Sequence, residues 1–132
     1  MFIKKNVHYQ EYTIHNQVNE LKINSPKIHD YNIKTSTLTM EEIPQMCISD
    51  MYGEESKDVP YYIFDEIRKI IKKLYENKIY YPDITGYNFI EYQDKIWIID
   101  FGDAKFITKE TELSPFVLDF INGLNKWNPE FK

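Results

Sequence analysis

Apolar and polar positions change period several times along the chain, and each change marks a predicted element. The opening "MFIKKNV" is short, apolar and basic, and predicts a strand. In "QEYTIHNQVNELKI" the residues Glu11, Ile14, Val18 and Leu21 recur at three- and four-residue spacing, which predicts a helix with Glu11 on its apolar face. Pro26 then breaks the pattern. Strands over 27–31 and 37–41, joined by the polar turn 32–36, predict a hairpin. Residues 44–59 read as a loop around Gly53 with one helical turn near 48–52.

The most regular pattern is "DVPYYIFDEIRKIIKKLYENK", where Phe64, Ile67, Ile71 and Leu74 form one stripe and Asp58 and Pro60 suit a helix start. "NFIEYQDKIWIID" sets two apolar segments around the polar turn 93–95 and predicts a second hairpin. A last helix is predicted over 114–125, capped by Ser114, with Pro115 in its first turn and Phe116, Phe120, Ile121 and Leu124 facing inward. No repeat or Pro/Ser-rich linker interrupts the 132 residues, so a single domain is expected.

The 42% hydrophobic and 16% aromatic content excludes a disordered chain, because the apolar surface is ample to offset ordering entropy. A net charge of −5, with no dominant Lys/Arg cluster, argues against a nucleic-acid groove, which needs a basic stripe. Cys47 is the only cysteine, so no intrachain disulfide or Cys-based zinc site is expected, which fits a reducing compartment. His8, His15 and His29 lack metal-ligand spacing. No apolar run has the length of a membrane span, and the first residues carry no signal-peptide core. The expectation is a soluble cytoplasmic protein with no nucleic-acid or membrane partner.

The stretch that carries chemistry is "YPDITGYNFIEYQDKIWIIDFG". Asp83 stands five residues before Asn88 in a loop closed by Gly86, and Asp100 ends the strand-like "IWII" with Gly102 letting the chain turn away. Carboxylate and amide oxygens are the hard donors that a phosphate-bound divalent cation takes. "DITGYN" resembles the catalytic loop of the protein-kinase-like superfamily, and "IIDFG" resembles the strand and Asp-Phe-Gly motif that follow it at a family-like separation. The nearest resemblance is to small atypical kinases such as the RIO kinases and the KEOPS-complex kinase, whose loop has the form Asp-Leu-Thr-x-x-Asn. Thr85 matches that threonine.

By this resemblance Asp83 orients the acceptor hydroxyl or takes its proton, Thr85 joins it in the catalytic set, and Asn88 and Asp100 hold Mg2+ on bound ATP. "LTMEEI" resembles the strand that leads into the kinase hinge, so Met40 is implied as gatekeeper and the backbone from Glu41 to Ile43 as the adenine-facing edge. Glu11 is implied as the helix glutamate that orients a strand lysine. An ordinary acid at a helix start is the alternative, since the macrodipole favours one there. The lysine is Lys4 or Lys5. Strand alternation points only one of them inward, and Lys5 is preferred.

The implied fold is α+β: a minimal protein-kinase-like fold, with a reduced N-terminal sheet and helix over 1–43 and a truncated helical C-lobe over 44–132. Departures from the family are plain. No Gly-x-Gly-x-x-Gly occurs among four glycines, Tyr81 and Pro82 stand where kinases carry His-Arg, and no Ala-Pro-Glu follows Gly102. Two functions are expected in consequence. One is a phosphotransferase using Mg-ATP on a protein Ser/Thr hydroxyl. In it a second copy of the chain is expected to cover the shortened lobe and complete the site. The other is a pseudokinase or nucleotide-binding module that acts through protein contacts.

Overall fold

The computed structural model describes residues 1–131. Strands β1 (Phe2–Lys4), β2 (Ile28–Asn32) and β3 (Thr37–Met40) form an antiparallel sheet in the order β1-β3-β2. Phe2 faces Met40 and Lys4 faces Leu38 across the ladder, which sets the face that each β1 side chain takes. The hairpin turn closes because the Asn32 side chain accepts the amides of Lys34 and Thr35, at 3.0 and 3.3 Å, while Ser36 adopts a φ of 53°. Helix α1 (Tyr9–Glu20) lies against β2 and buries Ile14, His15 and Val18, three residues of one helical face. A small core of Val7, Leu38 and Met40, flanked by Tyr12, Ile28 and Tyr31, ties sheet to helix. Tyr31 adds a hydrogen bond of 2.7 Å to the Val7 carbonyl.

A larger core forms around α3 (Tyr61–Glu76). Pro60 stands at its N-cap, where a missing amide proton goes unmissed, and the stripe Ile63, Phe64, Ile67, Ile71 and Leu74 is fully buried. Each such side chain contributes about 1.5–3 kcal/mol by leaving water, so this helix organises everything packed on it. Preceding it are α2 (Ile48–Tyr52) and a 3-10 turn at Ser56–Asp58, the latter lying where the sequence suggested a helix start. Following it come β4 (Ile79–Tyr80), the hairpin β5 (Phe89–Tyr92) and β6 (Lys95–Ile98), β7 (Lys105–Phe106), and α4 (Pro115–Ile121). Gln93 and Asp94 both take positive φ, 53° and 60°, the two-residue turn whose twist suits a hairpin. The β4–β7 pair has no counterpart in the sequence reading, because strands of two residues are too short to show a period.

Helix α4 ends earlier than its pattern predicts. Gly123 takes a φ of 79°, the Leu124 amide reaches the Asp119 carbonyl at 2.9 Å and the Gly123 amide reaches Phe120 at 3.0 Å. This is a Schellman stop, in which a left-handed glycine satisfies the last carbonyls and turns the chain away. Val117 and Phe120 therefore face the core, whereas Leu124, expected inside, is 73% exposed.

Candidate active site

Lys4 leaves β1 on the same face as Phe2, since alternate strand residues share a side. Its Nζ lies 2.6 Å from Glu11 Oε2 and 3.2 Å from Asp100 Oδ1. Burial alone would lower the ammonium pKa; the Glu11 hydrogen bond and the two carboxylate charges more than offset this and raise it. Lys5, the residue preferred on sequence, lies just beyond the end of β1, is exposed and forms no ion pair among the described residues. Register places the other lysine: Lys4 stands opposite Leu38 on the ladder, and it is Lys4 that reaches Glu11 on α1. Glu11 sits in the first turn of α1 with its side chain only 10% exposed.

Asp100 follows β6. Its Oδ1 also accepts the Gly102 amide at 2.9 Å, and a Cβ on residue 102 would lie 3.2 Å from that oxygen, so glycine lets the carboxylate fold back on the chain. Phe101 between them is buried, with its ring 4.8 Å from His15 and 5.8 Å from Tyr81. The Tyr81 hydroxyl donates to the Asp100 carbonyl. His15 Nε2 lies 2.7 Å from the Pro26 carbonyl; burial pushes its pKa down to about 4, so the ring is neutral and Nε2 carries the proton. Neither Tyr81 nor His15 entered the site on sequence. Tyr81 had one signal, its place just before the loop in the position of the kinase histidine.

The loop itself is a run of tight turns. The amides of Ile84, Thr85 and Asn88 reach the carbonyls of Pro82, Asp83 and Thr85 at 2.8, 3.1 and 3.2 Å, and Asn88 Nδ2 donates to the Asp83 carbonyl at 2.8 Å. Thr85 and Asn88 are buried. Gly86 is required by close approach, since a Cβ there would lie 2.2 Å from Ser49 Oγ on α2. Asp83 is half-buried, and burial raises its carboxyl to about 6 against an ordinary 3.8; Asn88 opposes the shift, and the Asp103 and Asp100 charges add to it.

A cavity of about 440 Å³ lies between the sheet and the β5–β6 hairpin. Lys4 and Asp100 line it together with Met40, Glu41, Ile43 and Asn88. Asp83, Thr85 and Glu11 are not lining residues: the loop meets the cavity at Tyr87 and Asn88. The Glu41 amide is used by the Lys27 carbonyl at 2.8 Å, whereas the Glu41 carbonyl and the Ile43 amide have no hydrogen-bond partner among the described residues. This edge of the cavity thus keeps one acceptor and one donor. Asn88 Oδ1 and Asp100 Oδ2 likewise receive no protein donor among the described residues. Two hard oxygens on one cavity fit a magnesium ion that keeps its remaining positions for water and phosphate. Among the described residues no three His, Cys, Asp or Glu side chains gather as a metal cage. No helix among them is long and apolar enough to cross a membrane.

A family model for the RIO domain matches residues 3–122. The chain is 33% identical over 89 residues to a probable bifunctional tRNA threonylcarbamoyladenosine biosynthesis protein of Methanococcus vannielii, a match covering 67% of this chain and 15% of that protein. It is 30% identical over 114 residues to the EKC/KEOPS complex subunit BUD32 of Enterocytozoon bieneusi, covering 78% of this chain and 55% of that one. The solved structure of the Cydia pomonella granulovirus kinase PK-1 has the same fold, with a TM-score of 0.65 at 17% identity, over 85% of this chain and 45% of that chain. The chain therefore spans from 15% to 55% of the length of these three proteins.

Proposed function

The chain belongs to the RIO domain family of kinase-like proteins, and on that premise we propose that it binds Mg-ATP and transfers the γ-phosphoryl group to a Ser/Thr hydroxyl of a protein. Residues 1–43 supply the N-lobe side and the residues from 44 onward the C-lobe side, with the 440 Å³ cavity between them as the nucleotide site. One observation carries the reading: Lys4 is held between Glu11 and Asp100 at the wall of that cavity. Phosphoryl transfer is charge management, and a fixed ammonium beside an aspartate and an asparagine supplies it.

In this reading the Glu41 carbonyl and the Ile43 amide bind the adenine edge, with Met40 behind it. Lys4 pairs with phosphate oxygens while Glu11 keeps its Nζ in place. Asn88 Oδ1 and Asp100 Oδ2 would hold Mg2+, which when bound neutralises charge on the transferring phosphate. Asp83 accepts the acceptor hydroxyl's proton. Its burial-raised pKa of about 6 makes it a better proton acceptor than a free carboxylate while leaving it ionised at neutral pH. Thr85 fills the buried floor of the loop that presents it.

The test is Mg-dependent ATP turnover by the purified chain, with Asp83→Ala and Asp100→Ala each lowering the rate at least about a hundredfold while retaining the fold. Turnover unchanged in both variants would sink the assignment. A second reading, a nucleotide-binding module that works inside a protein assembly, is favoured by the Enterocytozoon bieneusi relative, whose name describes a complex subunit. Thermal stabilisation by Mg-ATP without turnover is the outcome that selects it.

A further inference from the structure

Asn128 lies beyond the 3–122 segment that the family model matches, on the tail that leaves α4 at Gly123, and it is 3% exposed. Its Nδ2 donates to the Pro82 carbonyl at 2.8 Å, and its backbone amide donates to the Ile84 carbonyl at 2.8 Å. These are the carbonyls on either side of Asp83. The Pro82 carbonyl also accepts the Ile84 amide at 2.8 Å, closing a three-residue γ-turn with Asp83 at its centre. A turn held by one short ring is soft, and a second donor on the same carbonyl stiffens it. Asn128 Oδ1 accepts the Glu130 amide at 3.1 Å, so both ends of the side chain are engaged and its orientation is set.

The tail is itself anchored on α3. Trp127 packs on Phe64 with ring centroids 4.5 Å apart. Arg68 donates to the Phe120 carbonyl at 2.9 Å and to the Asn125 carbonyl at 2.8 Å, and Asn125 Nδ2 reaches back to the Phe116 carbonyl at 3.2 Å. A continuous path of packed and hydrogen-bonded groups thus runs from α3, through the residues after α4, to the backbone that presents Asp83. We infer that Asn128 is a positioning residue for Asp83, holding the turn between Pro82 and Ile84 in one geometry. The inference rests on the role given to Asp83 above, and its consequence is local: the side chain touches no nucleotide-facing group, so it governs the chemical step and not nucleotide affinity.

The experiment compares the full chain with Asn128→Ala and the isosteric Asn128→Asp, both of which keep the backbone bond to Ile84. Amide hydrogen exchange is read at Ile84 and Thr85 against the α3 core, and ATP turnover is read as kcat and KM. The expected result is loop exchange accelerated roughly tenfold or more with α3 unchanged, kcat down by a similar factor, and KM for ATP within about twofold, the pattern of lost orientation with intact binding. Loop exchange and kcat both within about twofold of the parent chain would overturn the inference. If the parent chain shows no turnover, the catalytic reading of Asp83 fails, and the exchange arm alone decides whether Asn128 holds the turn. If both variants fail to fold, exchange in the parent chain decides. Asn128 and Ile84 amides opening together support the clamp, and a tail that exchanges about a hundredfold faster than the loop refutes it.

Discussion

Replacing Lys4 by Met keeps the aliphatic stem of the side chain and deletes the one charge placed between Glu11 and Asp100. The magnitude follows from the geometry. At 2.6 Å and an effective dielectric near 20, the Coulomb attraction is roughly 6 kcal/mol. From this the cost of partly desolvating both ions is subtracted. The Lys4 and Glu11 side chains are 30% and 10% exposed, so the pair lies between a surface contact and a dry one. A net coupling of about 1.5–3 kcal/mol is expected, above the 0.2–1 kcal/mol of an exposed pair. Asp100 adds less, because its side chain is 43% exposed. The assay is a double-mutant cycle of Lys4→Met, Glu11→Gln and their combination, by urea unfolding at neutral pH. In a chain of this size 1 kcal/mol corresponds to about 3–5 °C in Tm. Lys5→Met, at an exposed position just past β1, stays within about 0.5 kcal/mol. A coupling below about 0.5 kcal/mol, or a Lys5→Met variant less stable than Lys4→Met, would refute the reasoning.

Asp83→Asn raises stability at pH 7.5 while removing turnover. A folded pKa raised to about 6 from 3.8 means that the charged form destabilises the fold. That destabilisation is full above pH 6, shrinks as pH falls through 6 and is gone below 3.8, so the parent chain gains stability from pH 7 to 5 and the variant shows less of that slope, as thermal melts across the range will read. Gly86→Ala costs about 1–3 kcal/mol by overpacking against Ser49, and Ser49→Gly in the same chain returns most of it; denaturant midpoints check both. Tyr81→Phe removes the hydroxyl that donates to the Asp100 carbonyl, costing about 1–2 kcal/mol, and it raises the Mg2+ concentration for half-maximal turnover, measured by titration.

Long amphipathic segments were legible because their period repeats: α1 and α3 and the β5–β6 hairpin lie where the pattern put them. The positions of Asp83, Thr85, Asn88 and Asp100 were likewise readable, since they sit in one short stretch whose spacing is the signal. What escaped depends on partners distant in sequence. Choosing Lys4 over Lys5 required the β1–β3 register, because either lysine satisfies a strand pattern and the two differ by a single step of alternation. The end of α4 was set by Gly123, one left-handed residue inside an apolar run that otherwise continues to Leu124. Asn128 carries no local signal at all: it is one polar residue near an aromatic, and only its contact with Pro82, 46 residues earlier, gives it meaning.

His15 carries a consequence for measurement. Its ring is neutral down to about pH 4, its single proton sits on Nε2 against the Pro26 carbonyl, and the centre of the Phe101 ring lies 4.8 Å from its own. A histidine confined to one tautomer and placed inside the magnetic shadow of a neighbouring ring is a native spectroscopic marker. Its hydrogen-bonded imidazole proton and its ring-carbon shifts are expected to respond to any change in the Phe101 ring's orientation. A change in the packing of Phe101, next to Asp100, can therefore be read in solution from His15, without a label and without disturbing the side chains it reports on.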